Sequence, residues 1–185
     1  ASPKGAMLDK HACTIVDSLG SSEGTGMASQ VMSRKRRDAA TARFHLGEHT
    51  RVLAENGSDV QPGTGERGQI ALGWPLPLGY FKDPVKTQEA FPMVGGRRCS
   101  IPGDWATVEA DGTITLLGRG SACINTGGEK VFPEEVEEAL KELEAVVDCN
   151  VVGLEDDRWG QAVTAVVELT TPGAADADEL RDGVR

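Results

Sequence analysis

At 185 residues, 39% of them hydrophobic, the chain has enough apolar content for an ordinary core in one domain or two small ones. Its net charge of −10 argues against a nucleic-acid binder, because neutralising phosphates takes a basic face. Cys13, Cys99, Cys123 and Cys149 are scattered without a CxxC pair, which favours reduced thiols in a cytoplasmic protein over a zinc knuckle or a secreted disulfide scaffold.

No apolar run reaches the length of a membrane span, and Ala1-Ser2-Pro3-Lys4-Gly5 has neither the basic nor the apolar region of a signal peptide. That opening reads as a turn into a short helix. A Walker-type loop is unsupported, since no glycine-rich run precedes it and no GK[ST] follows. Thr14-Ile15-Val16 predicts a buried strand entering a small polar loop, Gly20 to Gly24, at a strand end where ligands often meet a fold. Met27 to Arg43 is polar, and its cluster Arg34-Lys35-Arg36-Arg37 reads as a solvated loop in so acidic a chain.

From Phe44 to Leu117 the pattern is one of short strands: Thr50 to Ala54, Gly68 to Leu72, Trp105 to Val108 and Thr113 to Leu117, punctuated by glycine and proline turns. They predict a small twisted sheet or barrel. Asp83-Pro84 predicts a helix through Ala90, with Asp83 as N-cap and Pro84 at the first helical position. After Arg119 the periodicity becomes α+β: strand Ala122 to Asn125, helix Pro133 to Glu144, strands Asn150 to Leu154 and Ala162 to Leu169, and a last helix begun by Asp176. Val136, Ala139, Leu140 and Leu143 share one face of the first of these helices, whose opening turn is acidic. The last helix stops near its start, so the chain reads as a fragment.

Three constellations could carry chemistry. His45-Leu46-Gly47-Glu48-His49 matches the inverted zinc-protease pattern, but Gly47 and the strand-like Thr50-Arg51-Val52-Leu53 deny it the helix that would align both histidines. Asp104, after the Pro102-Gly103 turn, suits a ribose diol, because one carboxylate accepts from two adjacent hydroxyls; a purely structural turn Asp is the bland reading. Ser22-Glu23 pairs a hydroxyl with a carboxylate, fit for a phosphate oxygen and its Mg²⁺, or for a loop cap.

Four segments in order resemble the motifs of the adenylate-forming (AMP-binding) superfamily of acyl-CoA synthetases, luciferases and peptide-synthetase adenylation domains. Leu19-Gly20-Ser21-Ser22-Glu23 looks like the YGxTE adenine and metal loop, with Leu19 in the aromatic's place and Ser22 for Thr. Gly65-Glu66-Arg67-Gly68-Gln69-Ile70 with Leu78-Gly79-Tyr80-Phe81-Lys82-Asp83-Pro84 resembles the GE-x-G…GY-x-x-x-P segment. Ser100-Ile101-Pro102-Gly103-Asp104 is similar to Y-x-T-G-D. Gly118-Arg119 through Gly127-Gly128-Glu129-Lys130-Val131 to Pro133-Glu134-Glu135-Val136-Glu137 is similar to the hinge and lid motif, with Ser121 where Asp or Lys is common.

The resemblance implies an α+β fold: residues 1–117 as the small β-barrel-like end of a large AMP-binding domain, 118–121 as hinge, and 122–185 as an incomplete C-terminal lid. It also implies a fatty or related carboxylate activated by ATP and passed to CoA, as in bacterial fatty-acyl and sterol-side-chain CoA ligases. In that scheme Glu23 binds Mg²⁺, Ser22 meets the α-phosphate, Leu19, Gly20 and Ser21 line the nucleotide, Asp104 takes the ribose and Arg119 the ribose or a phosphate. Gly127 and Gly128 give way to the pantetheine channel, and Lys130 meets phosphate. The phosphate loop and most of the acyl pocket would precede Ala1, and the catalytic lysine would follow Arg185, so the isolated chain is expected to turn over little. A non-catalytic binding or regulatory remnant, or the adenylation domain of another carboxylate-activating enzyme, is the competing reading. Nucleic acid is not an expected partner, and peripheral membrane contact of the whole enzyme stays open.

Overall fold

A computed structural model describes residues 3–35 and 43–184, and the chain divides into two compact units, Ala1–Leu116 and Leu117–Arg185. Of the basic cluster, Arg36 and Arg37 lie outside the described residues.

The first unit opens with helix α1 (Pro3–Lys10) and the long hairpin of β1 (Thr14–Ser21) and β2 (Gly24–Ser33). Strands β3 (Arg43–Leu46), β4 (Thr50–Leu53) and β5 (Arg67–Leu72) follow, then helix α2 (Pro84–Ala90). The small ribbon of β6 (Met93–Val94) and β7 (Arg97–Arg98) leads to β8 (Asp104–Val108) and β9 (Thr113–Arg119). Seven of these strands form one sheet in the order β1-β2-β3-β9-β8-β5-β4. The sheet curls over its core without closing. Met27, Ile70, Ala106 and Ile114, from four different strands, are all fully buried in one cluster with Phe44, Val52 and Leu72. The curl brings β2 close to β5: a side chain at Gly24 would strike Leu72.

Two expectations are corrected here. β1 is a strand at the sheet's edge, so Val16 is 62% exposed rather than buried, and β1 runs through Gly20 to Ser21 where a loop was expected. The polar stretch from Met27 belongs largely to β2. From Ala28 to Ser33 its residues alternate with period two, Ala28, Gln30 and Met32 buried. A glutamine on the inward face masks that alternation from a hydrophobicity reading. Arg34 is tied down as well, donating from Nε to the Leu8 carbonyl at 2.7 Å and from Nη2 to that of Asp9 at 2.8 Å, which satisfies acceptors at the end of α1.

Helix α2 forms as its sequence predicts. The Asp83 carboxylate accepts from the Lys86 N–H at 2.9 Å, and Pro84 occupies the first turn, where its missing N–H costs nothing.

In the second unit a single 3₁₀ turn, Gly120–Ala122, precedes the hairpin of β10 (Ile124–Thr126) and β11 (Glu129–Val131). Helix α3 (Pro133–Lys141), strands β12 (Val146–Asp156) and β13 (Gly160–Leu169) and helix α4 (Ala177–Gly183) complete it. The sheet order is β11-β10-β13-β12, all antiparallel. The expected strand from Ala122 starts two residues later, β11 was not foreseen, and α3 ends at Lys141. Leu140 is buried, and Val136 and Leu143 pack with it against Ile124, Cys149 and Val151, as the one-face spacing requires. Asp176 caps α4 in a full capping box with Glu179, and Leu180 joins the same core. Along β12 the Val151 N–H donates to Glu137 Oε1 of α3, and the Cys149 N–H donates to the Asp148 carboxylate, each at 2.9 Å.

Candidate functional site

The first cluster of expected site residues is the turn of the β1–β2 hairpin. Ser21 pairs with Gly24 across it, leaving Ser22 and Glu23 as the two turn residues, and the register slips between Leu19 and Ser21 at Gly20. Leu19 is half-buried and packs on the main core, while Gly20 is exposed. The Glu23 N–H donates to Ser21 Oγ at 3.2 Å. The Tyr80 hydroxyl donates to Glu23 Oε1. That bond is the main cause holding the Glu23 carboxyl down to about 2; its own N–H, Ser21 and Ser22 add to it, and partial burial opposes it. The same contact pushes the Tyr80 phenol above its ordinary value.

Asp104 is positioned independently, as the first residue of β8 after Gly103, whose φ of 95° suits glycine at the tight turn. It is 6% exposed, a burial rarely given to a carboxylate without a partner or a task. Arg119 ends β9 and is exposed in the second unit, directly before the 3₁₀ turn that holds Ser121. Just ahead of it, Gly118 has a φ of 124°, which side chains rarely adopt, and a Cβ there would push aside the Glu134 carboxylate.

Gly127 and Gly128 form the two-residue turn of the β10–β11 hairpin, flanked by the pair Thr126 and Glu129. Their φ values of 58° and 89° are both left-handed, which a type I′ hairpin turn demands. The Gly127 N–H donates to the Trp159 carbonyl at 2.9 Å, and a Cβ at Gly127 would press on the Trp159 ring at 2.9 Å. The glycine pair thus has a sufficient structural reason of its own. Lys130 is exposed on β11, opposite Asn125.

His45 lies in β3, and Glu48 and His49 lie in the turn after it, so the HxxEH match has no helix. No group of three or more His, Cys, Asp or Glu that could hold a metal occurs among the described residues. The donors at the hairpin turn nevertheless fit Mg²⁺, which takes hard oxygens and commonly uses one or two carboxylates completed by substrate phosphates. An ionised Glu23 carboxylate beside the Ser22 hydroxyl is such a donor set. Tyr80 was legible only as part of a motif. Its partner is 57 residues away in sequence, beyond the reach of any local pattern.

Residues 135–185 match the AMP-binding enzyme C-terminal domain family. The chain is 48% identical over 167 residues to a medium/long-chain-fatty-acid and 3-oxocholest-4-en-26-oate CoA ligase of Mycolicibacterium smegmatis, covering 89% of this chain and 30% of that protein. The chain belongs to the adenylate-forming, AMP-binding enzymes. The chain is likewise 48% identical over 172 residues to a 3-oxocholest-4-en-26-oate CoA ligase of Rhodococcus rhodochrous, covering 92% of it and 31% of that relative. It thus spans about 30% of the length of the curated relatives it matches. The crystal structure of ATP-bound MatB from Rhodopseudomonas palustris superposes with a TM-score of 0.74 at 26% identity, over 92% of this chain and 33% of MatB.

Proposed function

We propose that the protein carrying this chain is an ATP-dependent ligase that joins a fatty or sterol-side-chain carboxylate to CoA through an acyl-adenylate, acting in the cytoplasm. The observation that carries this reading is near-half identity, over nine-tenths of the chain, to relatives named as ligases of these acids. The ATP-bound neighbour supports a nucleotide as co-substrate.

In this reading the hairpin turn faces the polyphosphate. Glu23 is ionised at neutral pH, as a cation ligand must be, and Ser22 offers a hydroxyl to the α-phosphate beside it. Bound Mg²⁺ supplies charge neutralisation as the carboxylate attacks and pyrophosphate departs. Leu19, Gly20 and Ser21 form the strand end along which the nucleotide lies. Asp104 accepts from the ribose hydroxyls, its position fixed by burial on β8. Arg119 binds ribose or phosphate, residues 118–121 serve as the hinge, and residues 122–185 act as the lid. Lys130 meets phosphate, and the Gly127-Gly128 turn gives way to the pantetheine channel of CoA.

The test is pyrophosphate release by the full-length protein with ATP, Mg²⁺ and a panel of fatty and sterol acids. Pyrophosphate release that requires the acid, with acyl-CoA and AMP formed once CoA is added, is the expected result. A folded protein that releases none with any acid overturns the proposal in favour of a non-catalytic remnant.

A further inference from the structure

Helix α2 and the segment before it form a clamp whose product is one correctly placed hydroxyl. The Tyr80 N–H donates to Thr87 Oγ1 at 2.9 Å, and that hydroxyl donates to the Asp83 carbonyl at 2.7 Å. The Asp83 N–H returns to the Tyr80 carbonyl at 3.3 Å, closing a tight turn in which Lys82 takes the left-handed φ of 56°. Gly79 lies so close to Thr87 that a Cβ would meet its γ-methyl at 2.5 Å. The ring is held too: Lys86 Nζ stands 4.2 Å from its centroid, and the buried Phe91 ring lies 6.3 Å away. Arg98 in turn stacks on Phe91 at 4.4 Å and donates to the carbonyls of Pro77 and Leu78, fixing the approach to Gly79. All of this converges on a single outgoing bond, from the Tyr80 hydroxyl to Glu23 Oε1.

Glu23, by contrast, stands in a two-residue turn at the tip of a hairpin, with Ser21 and Ser22 as its close neighbours in that turn. A glutamate side chain there loses considerable rotamer freedom if it is to present one oxygen in a fixed direction. We propose that Tyr80 is a positioning residue for Glu23: its O–H takes one carboxylate oxygen and thereby aims the other at the cation that accompanies the nucleotide. This inference rests on the reading of Glu23 as the Mg²⁺ ligand. Phenylalanine at position 80 would keep the ring contacts to Lys86 and Phe91 and the Thr87 bond, and would remove only the aiming bond.

The experiment measures binding of ATP to the full-length protein by calorimetry across a Mg²⁺ titration, with Mn²⁺ occupancy followed by electron paramagnetic resonance as a readout independent of turnover. Five proteins are compared: wild type, Tyr80→Phe, Glu23→Ala, the double variant and Thr87→Val. Tyr80→Phe is expected to raise the Mg²⁺ concentration needed for half-maximal ATP binding about ten-fold, the scale of a lost hydrogen bond to a charged group, with the melting temperature unchanged. In the Glu23→Ala background the same substitution is expected to do nothing more, because its route runs through the carboxylate. Thr87→Val, which removes the acceptor of the Tyr80 N–H, is expected to move the Mg²⁺ requirement in the same direction by less. If Glu23→Ala raises the requirement and Tyr80→Phe does not, the positioning role is wrong and the ligand reading stands. An undiminished Tyr80→Phe effect in the double variant also overturns it, since the tyrosine would then act elsewhere. A silent Glu23→Ala removes the ligand reading itself, and this inference with it.

Discussion

Two of the two-residue hairpin turns among the described residues, Ser22-Glu23 and Gly127-Gly128, are held by opposite means. The Gly127-Gly128 turn is shaped from within: two left-handed glycines match the twist of β10 and β11, and the flanking pair follows. The Ser22-Glu23 turn contains no left-handed residue, so the hairpin absorbs the mismatch through the irregularity between Leu19 and Ser21. Its side chain is then fixed from outside, by Tyr80. A turn built of backbone geometry is insensitive to distant change, whereas one built on a side-chain contact can be tuned from a remote element.

The largest effect that separates the two is expected at Gly127. Gly127→Val forces a β-branched residue into left-handed backbone and against the Trp159 ring, and should lower the stability of the second unit by about 2–3 kcal/mol, read from the urea midpoint. Gly128→Ala meets open space, so only the backbone term remains, about 1 kcal/mol in the same assay. Equal losses at the two positions would show that Trp159 does not press on the turn. Next comes pH, at a third turn, Asp111-Gly112 between β8 and β9. Thr113 chiefly, with Arg43, holds the Asp111 carboxyl down to about 2, from an ordinary 3.8. The folded value is the lower one, so its contribution is present above 3.8 and fades as pH falls through about 2. Asp111→Asn should flatten stability across that window while leaving it unchanged in shape above. The smallest effect is Ser21→Ala, which removes one part-buried acceptor and should cost about 0.5 kcal/mol by denaturant melt; a loss several times larger would mean that Ser21, rather than Tyr80, holds the Ser22-Glu23 turn.

How far the sequence alone reaches follows the same division. Elements specified within a few residues were legible: the Asp83-Pro84 start of α2, the apolar face of α3, the Asp176 cap and most strands of the curled sheet. What failed depended on partners far along the chain. Val16 is apolar yet exposed because β1 lies at an edge, a fact of strand order. β2 hides behind Gln30, polar but buried. The site divides likewise, since the short motifs around Glu23, Asp104 and Arg119 were readable, but the bond that fixes Glu23 joins residues 57 apart.

The carboxylates lying along β12 have a further consequence. β12 is the last strand of its sheet, and the outward N–H groups of Cys149 and Val151 are already spoken for by Asp148 and Glu137. A second copy arriving edge-on therefore finds negative charge where it needs free donors, and strand-by-strand growth into fibrils is discouraged at that border. The glutamate closing the Pro-Glu-Glu-Val-Glu run thereby doubles as a guard against self-association, a task that asks for an acid at that helical position independently of any ligand.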